Sequence, residues 1–271
     1  MRLVVSCQLS VAGGRASLLL LILILIPQSR PGAGGPVARH RPPLSAVGKS
    51  WYDAHRAAGG VKQLDRNHVS MIAIIDYGMG NLRSVQKAIE AVGHEAVVSS
   101  DPNDVRRATR VILPGVGAFA DAMAELRRTG LGEAFVEAVR AGKPCLGVCL
   151  GLQLLFDRSF EDGDHTGLGL LPGRVVRFDT RPGLKVPHMG WNTLRQVRPA
   201  PLLKGLAPEP SVYFVHSYHA MADQPEDVAA TADYPDPFPA IVWRENLMAC
   251  QFHPEKSQRV GLAMYANFAA L

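Results

Sequence analysis

The sequence predicts an α/β fold in which helices cover both faces of a mostly parallel, open sheet. Short apolar runs alternate with amphipathic helical stretches from residue 71 to residue 157, and this alternation is typical of strands joined by crossover helices. Beyond residue 157 the helical period ends. Short strand-like runs separated by Pro- and Gly-bearing turns follow, and they predict antiparallel strands in the C-terminal half.

The individual elements follow from apolar periodicity and from the glycines that end each stretch. The strands predicted in the first half are residues 71–75, 95–99, 110–113 and 145–148. The helices predicted there begin at Leu82 and are closed by Gly93, run from Phe119 to about Arg128, and run from Leu131 to Ala141 before Gly142. The second half has strand-like runs at residues 174–178, 191–196, 211–215, 228–233, 240–244 and 247–252, and a closing helix at 257–271. We expect the later strands to be antiparallel additions to the sheet.

The first seventy residues differ from the remainder in charge and pattern. They hold nine Lys or Arg residues against two Asp residues, whereas residues 71–271 carry a net charge of −2 within the chain total of +5. An apolar block at residues 17–26 is shorter than the roughly 20 residues that span a membrane, and it is similar to the apolar region of a signal peptide. Two hypotheses follow. The block is a targeting signal that exports or anchors the protein, or translation starts at Met71 and the upstream part is a misassigned start.

We favour the start at Met71, and we therefore divide the chain into a disordered extension, residues 1–70, and one globular domain, residues 71–271. The domain is mildly acidic, and the high pI of the whole chain belongs to residues 1–70, so it does not indicate nucleic-acid binding by the domain. We expect no nucleic-acid partner and no membrane partner. Its cysteines, Cys145, Cys149 and Cys250, lack the spacing of a metal site or a disulfide framework. We therefore expect no metal and a cytoplasmic location.

Cys149 is the first candidate for chemistry. It follows the predicted strand 145–148 directly, and a helix with an apolar face from residues 150–156 is expected to start at once. Gly147 and Gly151 flank it in the pattern G-x-C-x-G, which is a nucleophile elbow with cysteine in place of serine. Such an elbow places the sulfur at a helix N-terminus, where free N–H groups favour the thiolate, and directs the N–H of Leu150 toward a substrate oxyanion. The alternative for this motif alone is a buried structural cysteine.

Two further segments fit the same chemistry. The glycine-bearing loop at residues 114–117 follows a predicted strand and could supply main-chain N–H groups to an oxyanion, although an ordinary turn explains it as well. His253 and Glu255 lie two residues apart in what is expected to be an extended segment, so their side chains should project to one side. The histidine would then act as general base and the carboxylate would orient it. On its own, this His-Pro-Glu sequence would be a surface turn.

Together these motifs give the chain a family resemblance. The segments that carry it are residues 76–84 (DYGMGNLRS), 113–119 (LPGVGAF), 187–192 (PHMGWN), 213–218 (YFVHSY) and 252–257 (FHPEKS), with the elbow at Cys149. The chain resembles the class I, or triad, glutamine amidotransferases, and within them the glutaminase subunits of imidazole glycerol phosphate synthases. The resemblance covers residues 71–271 and none of residues 1–70. It implies the amidotransferase variant of a flavodoxin-like fold.

The resemblance also implies a role for each matching residue. It implies Cys149 as nucleophile, His253 as base and Glu255 as the residue that orients it. It implies an oxyanion hole from the backbone of Val116, Gly117 and Leu150, and substrate contacts from Gln153, Ser217 and Tyr218. It implies that Asn81, Trp191, Tyr213 and Lys256 face a partner. His216 has no carboxylate near it in sequence, so we expect a structural role for it.

The implied activity is hydrolysis of glutamine to glutamate and ammonia through a thioester on Cys149, without a cofactor. The implied partner is a cyclase subunit built as a (β/α)₈ barrel, forming a heterodimer. This partner would use the ammonia to make imidazole glycerol phosphate and aminoimidazole carboxamide ribonucleotide in histidine biosynthesis. The alternatives are another triad amidotransferase or cysteine hydrolase of the same fold, and a non-catalytic binding subunit.

Overall fold

The structure is a computed structural model, and it describes residues 71–271. The predictions for residues 1–70, including the apolar block at 17–26 and the two hypotheses for it, lie outside the described residues. Within the described range, no helix has the length and apolarity needed to cross a membrane.

The described elements alternate between strands and helices in the first half of the domain. In chain order they are β1 (Ile72–Ile75), α1 (Leu82–Ala91), β2 (Ala96–Ser99), α2 (Pro102–Arg107), β3 (Arg110–Leu113), α3 (Phe119–Thr129), α4 (Leu131–Arg140), β4 (Cys145–Val148) and α5 (Leu150–Gln153). The second half contains β5 (Phe156–Ser159), β6 (His165–Thr166), β7 (Leu171–Arg177), β8 (His188–Thr193), β9 (Arg195–Gln196), β10 (Ser211–His216), β11 (Tyr218–Ala222), β12 (Val228–Asp233), β13 (Pro237–Arg244), β14 (Leu247–Cys250) and α6 (Gln258–Ala269).

A central sheet of eight strands organises the described domain, in the order β2-β1-β3-β4-β14-β13-β12-β9. The five strands from β2 to β14 are parallel, and the remaining three are antiparallel additions. Alternate residues of β1 enter two separate cores: Ile72 and Ile74 pack on the side of α1 and α6, and Ala73 and Ile75 pack on the side of α3 and α4. The predicted α/β class, with helices on both faces of a mostly parallel sheet, is therefore confirmed.

The later strands were only partly placed by the sequence. Strands β9, β12 and β13 do extend the central sheet, as predicted, but β8 and β10 form a separate two-stranded ribbon, and β11-β7-β5-β6 form a separate four-stranded sheet. Residues 191–196, predicted as one strand, are divided between β8 and β9 at the buried Leu194. Alternating apolarity marks a half-buried strand but does not identify its partner, which is why the sheet assignment was wrong.

Two helices also differ from the prediction. Helix α5 is a single turn, because the apolar residues after Gln153 leave it to pair with the chain at residues 168–171. The carbonyls of Leu154 and Leu155 accept hydrogen bonds from Leu168 and Leu170, and Phe156 already begins β5. Helix α2 was not predicted, although its start has a clear signal. Asp101 caps it by accepting a hydrogen bond from the N–H of Asn103, with proline at the first helical position.

Candidate active site

The candidate site lies where three neighbouring parallel strands end. Strands β3, β4 and β14 lie side by side, with Leu113 opposite Gly147 and Cys250 opposite Val148. The residues after each strand therefore reach the same edge of the sheet, which is where open α/β sheets place their ligands. Residues 114–117, Cys149 and residues 251–253 meet there.

The backbone at Cys149 makes a strained elbow. Its φ of 56° and ψ of −109° lie in a region that residues with a side chain rarely adopt. A Cβ on Gly151 would lie 1.9 Å from the carbonyl oxygen of Leu113, and a Cβ on Gly147 would lie 2.8 Å from that of Gly151. Both glycines are thus required by close backbone contacts. The geometry is the elbow that G-x-C-x-G predicts, although the helix behind it is too short to contribute much of a dipole.

His253 lies beside this sulfur and is held by Glu255. The Nδ1 atom of His253 is 2.8 Å from Oε1 of Glu255, whose Oε2 accepts a longer bond of 3.4 Å from the hydroxyl of Tyr265. Cys149 also acts on this imidazole, as a charge and as a hydrogen-bond partner that shift the pKa of His253. Burial acts to lower the pKa of His253, but the charges and hydrogen bonds of Cys149 and Glu255 outweigh it and raise that pKa to about 10. The arrangement can therefore hold a sulfur–imidazolium pair.

His253 and Glu255 meet by a different route from the one predicted. The segment is not extended, because Pro254–Lys256 forms a single 3-10 turn that begins after His253. The hydroxyl of Ser257 donates to the carbonyl of His253 at 2.7 Å and closes the turn. Gly261 of α6 packs against it so closely that a Cβ there would lie 1.7 Å from the carbonyl oxygen of Pro254.

A cavity of about 370 Å³ opens in front of the sulfur. Its lining includes every residue predicted for the oxyanion hole and for substrate contact, together with Cys149, His253 and Lys256: Val116, Gly117, Leu150, Gln153, Ser217 and Tyr218. Glu255 stands behind His253 instead of lining the cavity. Asn81, Trp191 and Tyr213, predicted to face a partner, are not among the lining residues. Asn81 and Trp191 are exposed and Tyr213 is half-buried.

The side chain of Gln153 supports the cavity wall. Its Nε2 donates to the carbonyl oxygen of Tyr218 at 2.9 Å and to Oε1 of Gln251 at 3.1 Å. The carbonyl of Tyr218 also accepts a hydrogen bond of 2.9 Å from Nδ1 of His216. One main-chain oxygen therefore ties α5 to the start of β11.

His216 takes part in a chain of hydrogen bonds that leads away from the cavity. Its Nδ1 donates to Tyr218, so its Nε2 accepts from Nδ1 of His188 at 3.1 Å, and Nε2 of His188 accepts from the amide of Asn192 at 3.3 Å. Burial lowers the pKa of His188 to about 4 and that of His216 to about 3, so both are neutral at neutral pH. These contacts agree with the structural role expected for His216.

Three residues at the site were missed by the sequence reasoning. Glu161 lines the cavity, where burial raises its pKa, and it accepts a hydrogen bond of 2.7 Å from the N–H of Phe119. Tyr77 donates to the carbonyl of Pro114 at 2.9 Å and braces the 114–117 loop. Gln251 is completely buried beside Cys149. Tyr77 lies within the recognised motif at residues 76–84 and Gln251 adjoins the one at 252–257, but Glu161 lies in an acidic loop that has the pattern of a solvated turn.

Comparison with known proteins identifies the family to which the chain belongs. The sequence matches the family described as Glutamine amidotransferase class-I over residues 73–270. The chain belongs to this family. The class-I amidotransferase domain therefore accounts for nearly all of the described residues.

Three curated relatives of this amidotransferase carry the name imidazole glycerol phosphate synthase subunit HisH. The protein from Syntrophotalea carbinolica is 56% identical over 206 residues, which cover 73% of this chain and 98% of the relative. The protein from Desulfitobacterium hafniense strain DCB-2 is 52% identical and covers 73% and 93%. The protein from Geobacter sulfurreducens is 50% identical and covers 75% and 100%.

Solved structures agree with the fold. A crystal structure described as a glutamine amidotransferase superposes with a TM-score of 0.59 at 19% identity and covers 73% of this chain and 99% of the other. The structure of PurLQS from Thermotoga maritima gives 0.59 at 18% identity, with coverage of 74% and 98%. These likenesses confirm the amidotransferase-type fold that the sequence predicted.

Proposed function

We propose that this chain is the glutaminase subunit of an imidazole glycerol phosphate synthase, acting in histidine biosynthesis. The main support is that Cys149 and His253 share one cavity, with Glu255 bonded to His253 from behind, in a chain that is 50–56% identical to HisH subunits over nearly their whole length. The reaction is the hydrolysis of glutamine to glutamate and ammonia.

In the first half of the reaction the Cys149 thiolate, its proton taken by His253, attacks the side-chain amide carbon of glutamine. The C–O electron pair moves onto oxygen, where the N–H of Leu150 and the backbone at Val116 and Gly117 stabilise it. The oxyanion collapses, the C–N bond breaks, and His253 returns its proton to the departing nitrogen as ammonia leaves. A γ-glutamyl thioester remains on Cys149.

In the second half, His253 removes a proton from water as the water oxygen attacks the thioester carbon. Collapse of this second intermediate breaks the C–S bond, the electron pair stays on sulfur, and glutamate leaves. Glu255 holds the imidazole throughout and stabilises its charged form. No atom is oxidised or reduced, so the proposed reaction requires no cofactor.

The cavity wall offers partners for both ends of the glutamine backbone. Glutamine is a zwitterion at neutral pH, and its ammonium group requires an acidic partner in a partly buried site. Glu161 supplies a carboxylate in the lining. The segment Ser217-Tyr218, braced by Gln153, supplies main-chain groups for the carboxylate. We therefore assign Glu161 to the ammonium group and residues 217–218 to the carboxylate.

The proposed partner is a cyclase subunit built as a (β/α)₈ barrel, and the proposed location is the cytoplasm. The partner-facing residues would be Asn81, Trp191, Tyr213 and Lys256. Trp191 is 50% exposed and contacts Tyr213 across the β8–β10 ribbon, with ring centroids 6.0 Å apart. An exposed tryptophan against a tyrosine is typical of an interface. Lys256 joins this surface to the cavity, whose rim it forms.

The test is glutamine hydrolysis by the full chain with and without the cyclase and the cyclase's nucleotide ligand. We expect the partner to raise turnover, and we expect Cys149→Ala to abolish glutamine-dependent synthesis while ammonia-dependent synthesis by the complex remains. Turnover that the cyclase does not affect would favour another triad amidotransferase or hydrolase. Glutamine turnover that survives Cys149→Ala would refute the assignment of Cys149 as the nucleophile.

A further inference from the structure

Gln251 is a fully buried polar residue that the mechanism above leaves without a role. It follows β14 directly, its side chain is 0% exposed, and it lies between Cys149 and Gln153. A buried amide needs partners for both its oxygen and its nitrogen, because an unmet polar group in a protein interior is costly. The neighbours of Gln251 therefore determine which atom faces which group.

The carbonyl oxygen of Tyr218 fixes which atoms donate and which accept in the series of hydrogen bonds from Tyr218 to Cys149. The carbonyl of Tyr218 can only accept, so the atom of Gln153 that contacts it at 2.9 Å must be the amide nitrogen. The same nitrogen contacts Gln251 at 3.1 Å, so the facing atom of Gln251 must be its oxygen. Its remaining amide atom, Nε2, then faces the sulfur of Cys149 at 3.8 Å as a donor.

We propose that Gln251 is a further catalytic residue, whose amide N–H donates a hydrogen bond to the sulfur of Cys149 and stabilises that sulfur whenever it carries negative charge. This inference rests on the proposed function for its place in the reaction. The sulfur is negative before attack on glutamine and again when the C–S bond of the thioester breaks. A donor beside the sulfur stabilises the departing electron pair, because hydrogen bonds to charged acceptors are the stronger ones.

The amide complements His253 without competing with it. An amide has no titration in the working range, so Gln251 neither removes the thiol proton nor delivers one to ammonia. His253, which begins the turn after β14 and whose pKa is raised by Cys149, carries the proton. Gln251 supplies a fixed dipole from the strand end itself, held in place by Gln153.

Other titratable groups also face this sulfur and must be kept constant in any test. They are His253 with Glu255 behind it, Tyr77 from the loop after β1, and Cys250 of β14. His216, Glu161 and Lys256 share the cavity lining. None of these residues is altered by a substitution at Gln251, so a change in sulfur reactivity reports on the amide.

The test compares Gln251→Leu and Gln251→Glu with a control, Gln86→Leu, whose amide donates to the carbonyl of Ala96 away from the site. The rate of alkylation of Cys149 by iodoacetamide is followed against pH in the full chain, with the modified peptide identified by mass spectrometry. Turnover of glutamine is measured in the complex with the cyclase. The leucine variant loses the donor, and the glutamate variant keeps the acceptor for Gln153 but sets a carboxylate against the sulfur.

We expect the pH of half-maximal alkylation to rise by about one unit in Gln251→Leu and further in Gln251→Glu, with turnover reduced about tenfold or more. The control should match the unaltered protein. If Gln251→Leu does not fold, the nearly isosteric glutamate variant decides the matter alone. An unchanged alkylation profile in a folded variant would overturn the proposal. Absent turnover in the unaltered complex, with the profile still shifted, would overturn the proposed function and leave the hydrogen bond standing.

Discussion

His253 Nδ1 lies 2.8 Å from Glu255 Oε1, and the two side chains are 3% and 2% exposed. A contact this short between buried groups fixes the imidazole, because Nδ1–H donates to the carboxylate and Nε2 is left available as the base. The pair is made across a single 3-10 turn, which two hydrogen bonds to the backbone of Tyr213 in β10 hold in place.

Glu255→Gln tests this pair. The variant retains an oxygen that accepts from Nδ1 but loses the charge that stabilises the imidazolium. We expect glutamine turnover in the complex to fall on the order of 10²-fold or more with KM little changed. Tyr265→Phe is the control, because it removes only the 3.4 Å contact to the same carboxylate and should retain most of the activity. Equal losses of turnover in the two variants would argue that packing behind His253 matters more than the negative charge of Glu255.

Gly151→Ala tests the elbow. The added Cβ would lie 1.9 Å from the carbonyl oxygen of Leu113, so β3 and α5 must separate, and we expect a loss of about 3 kcal/mol or more in the free energy of unfolding. Gly132→Ala in α4 is the matched control, because its nearest neighbour would be at 3.4 Å and alanine favours helices. Urea unfolding measures both. If Gly151→Ala were as stable as Gly132→Ala, β3 and α5 would be shown to separate at little cost in free energy.

Glu161→Gln tests substrate recognition. If the carboxylate binds the ammonium group of glutamine, the variant should raise KM for glutamine about tenfold or more, as expected for loss of a charged hydrogen bond. The same variant should leave hydrolysis of 4-carbamoylbutyrate, which lacks that ammonium group, nearly unchanged. Relative kcat/KM for the two compounds is the measurement. A parallel fall for both compounds would assign Glu161 to bracing α3 through the N–H of Phe119.

Trp191→Ala tests the partner surface. We expect the variant to retain basal hydrolysis of glutamine and to bind the cyclase at least about thirtyfold more weakly, because exposed tryptophans that enter an interface cost 2 kcal/mol or more when truncated. Val197→Ala is the control, since Val197 is 56% exposed just after β9. Binding is measured by calorimetry. Unaltered affinity in Trp191→Ala would move the interface elsewhere.

The histidine pair predicts a pH dependence of stability. Burial holds the pKa of His188 at about 4 and that of His216 at about 3, below the value near 6.5 of an unfolded chain. The folded state therefore binds fewer protons between these values, and its stability is fully present above pH 6.5 and falls as the pH drops toward 4. Each histidine contributes a slope of up to about 1.4 kcal/mol per pH unit.

His188→Phe should flatten this slope. The ring would still stack between Phe214 and Tyr234, whose centroids lie 4.8 and 3.9 Å from that of His188. Ring packing is thus retained, while one titrating group and its hydrogen bonds to His216 and Asn192 are lost. Unfolding free energies measured from pH 4 to pH 8 give the result. A slope identical to that of the unaltered chain would mean that His188 titrates normally in the folded state. His253 acts in the opposite sense, since its raised pKa supports stability below pH 6.5 and withdraws it between 6.5 and about 10.

The residues grouped around Cys149 could be predicted because short motifs encode them. The elbow is encoded by five consecutive residues and the His-Pro-Glu turn by three. Neither prediction therefore requires the topology of the sheet. The parallel half of the fold was equally accessible, because crossover helices impose a strong periodicity. The roles of Gln251 and Glu161 could not be predicted from the sequence, because they depend on which strand ends meet in space. The same limit explains the error over β8 and β10, whose pattern is that of any half-buried strand.

The position of β14 has a consequence for how the polypeptide folds as it is synthesised. This strand lies in the middle of the central sheet, between β4 and β13, yet all thirteen other described strands precede it in the chain. A nascent polypeptide carries its sulfur nucleophile for about a hundred residues before the histidine leaves the ribosome, and the slot beside β4 stays open until then. We therefore expect the chain to be inactive toward glutamine until β14 is inserted, because this one late strand completes both the central sheet and the triad.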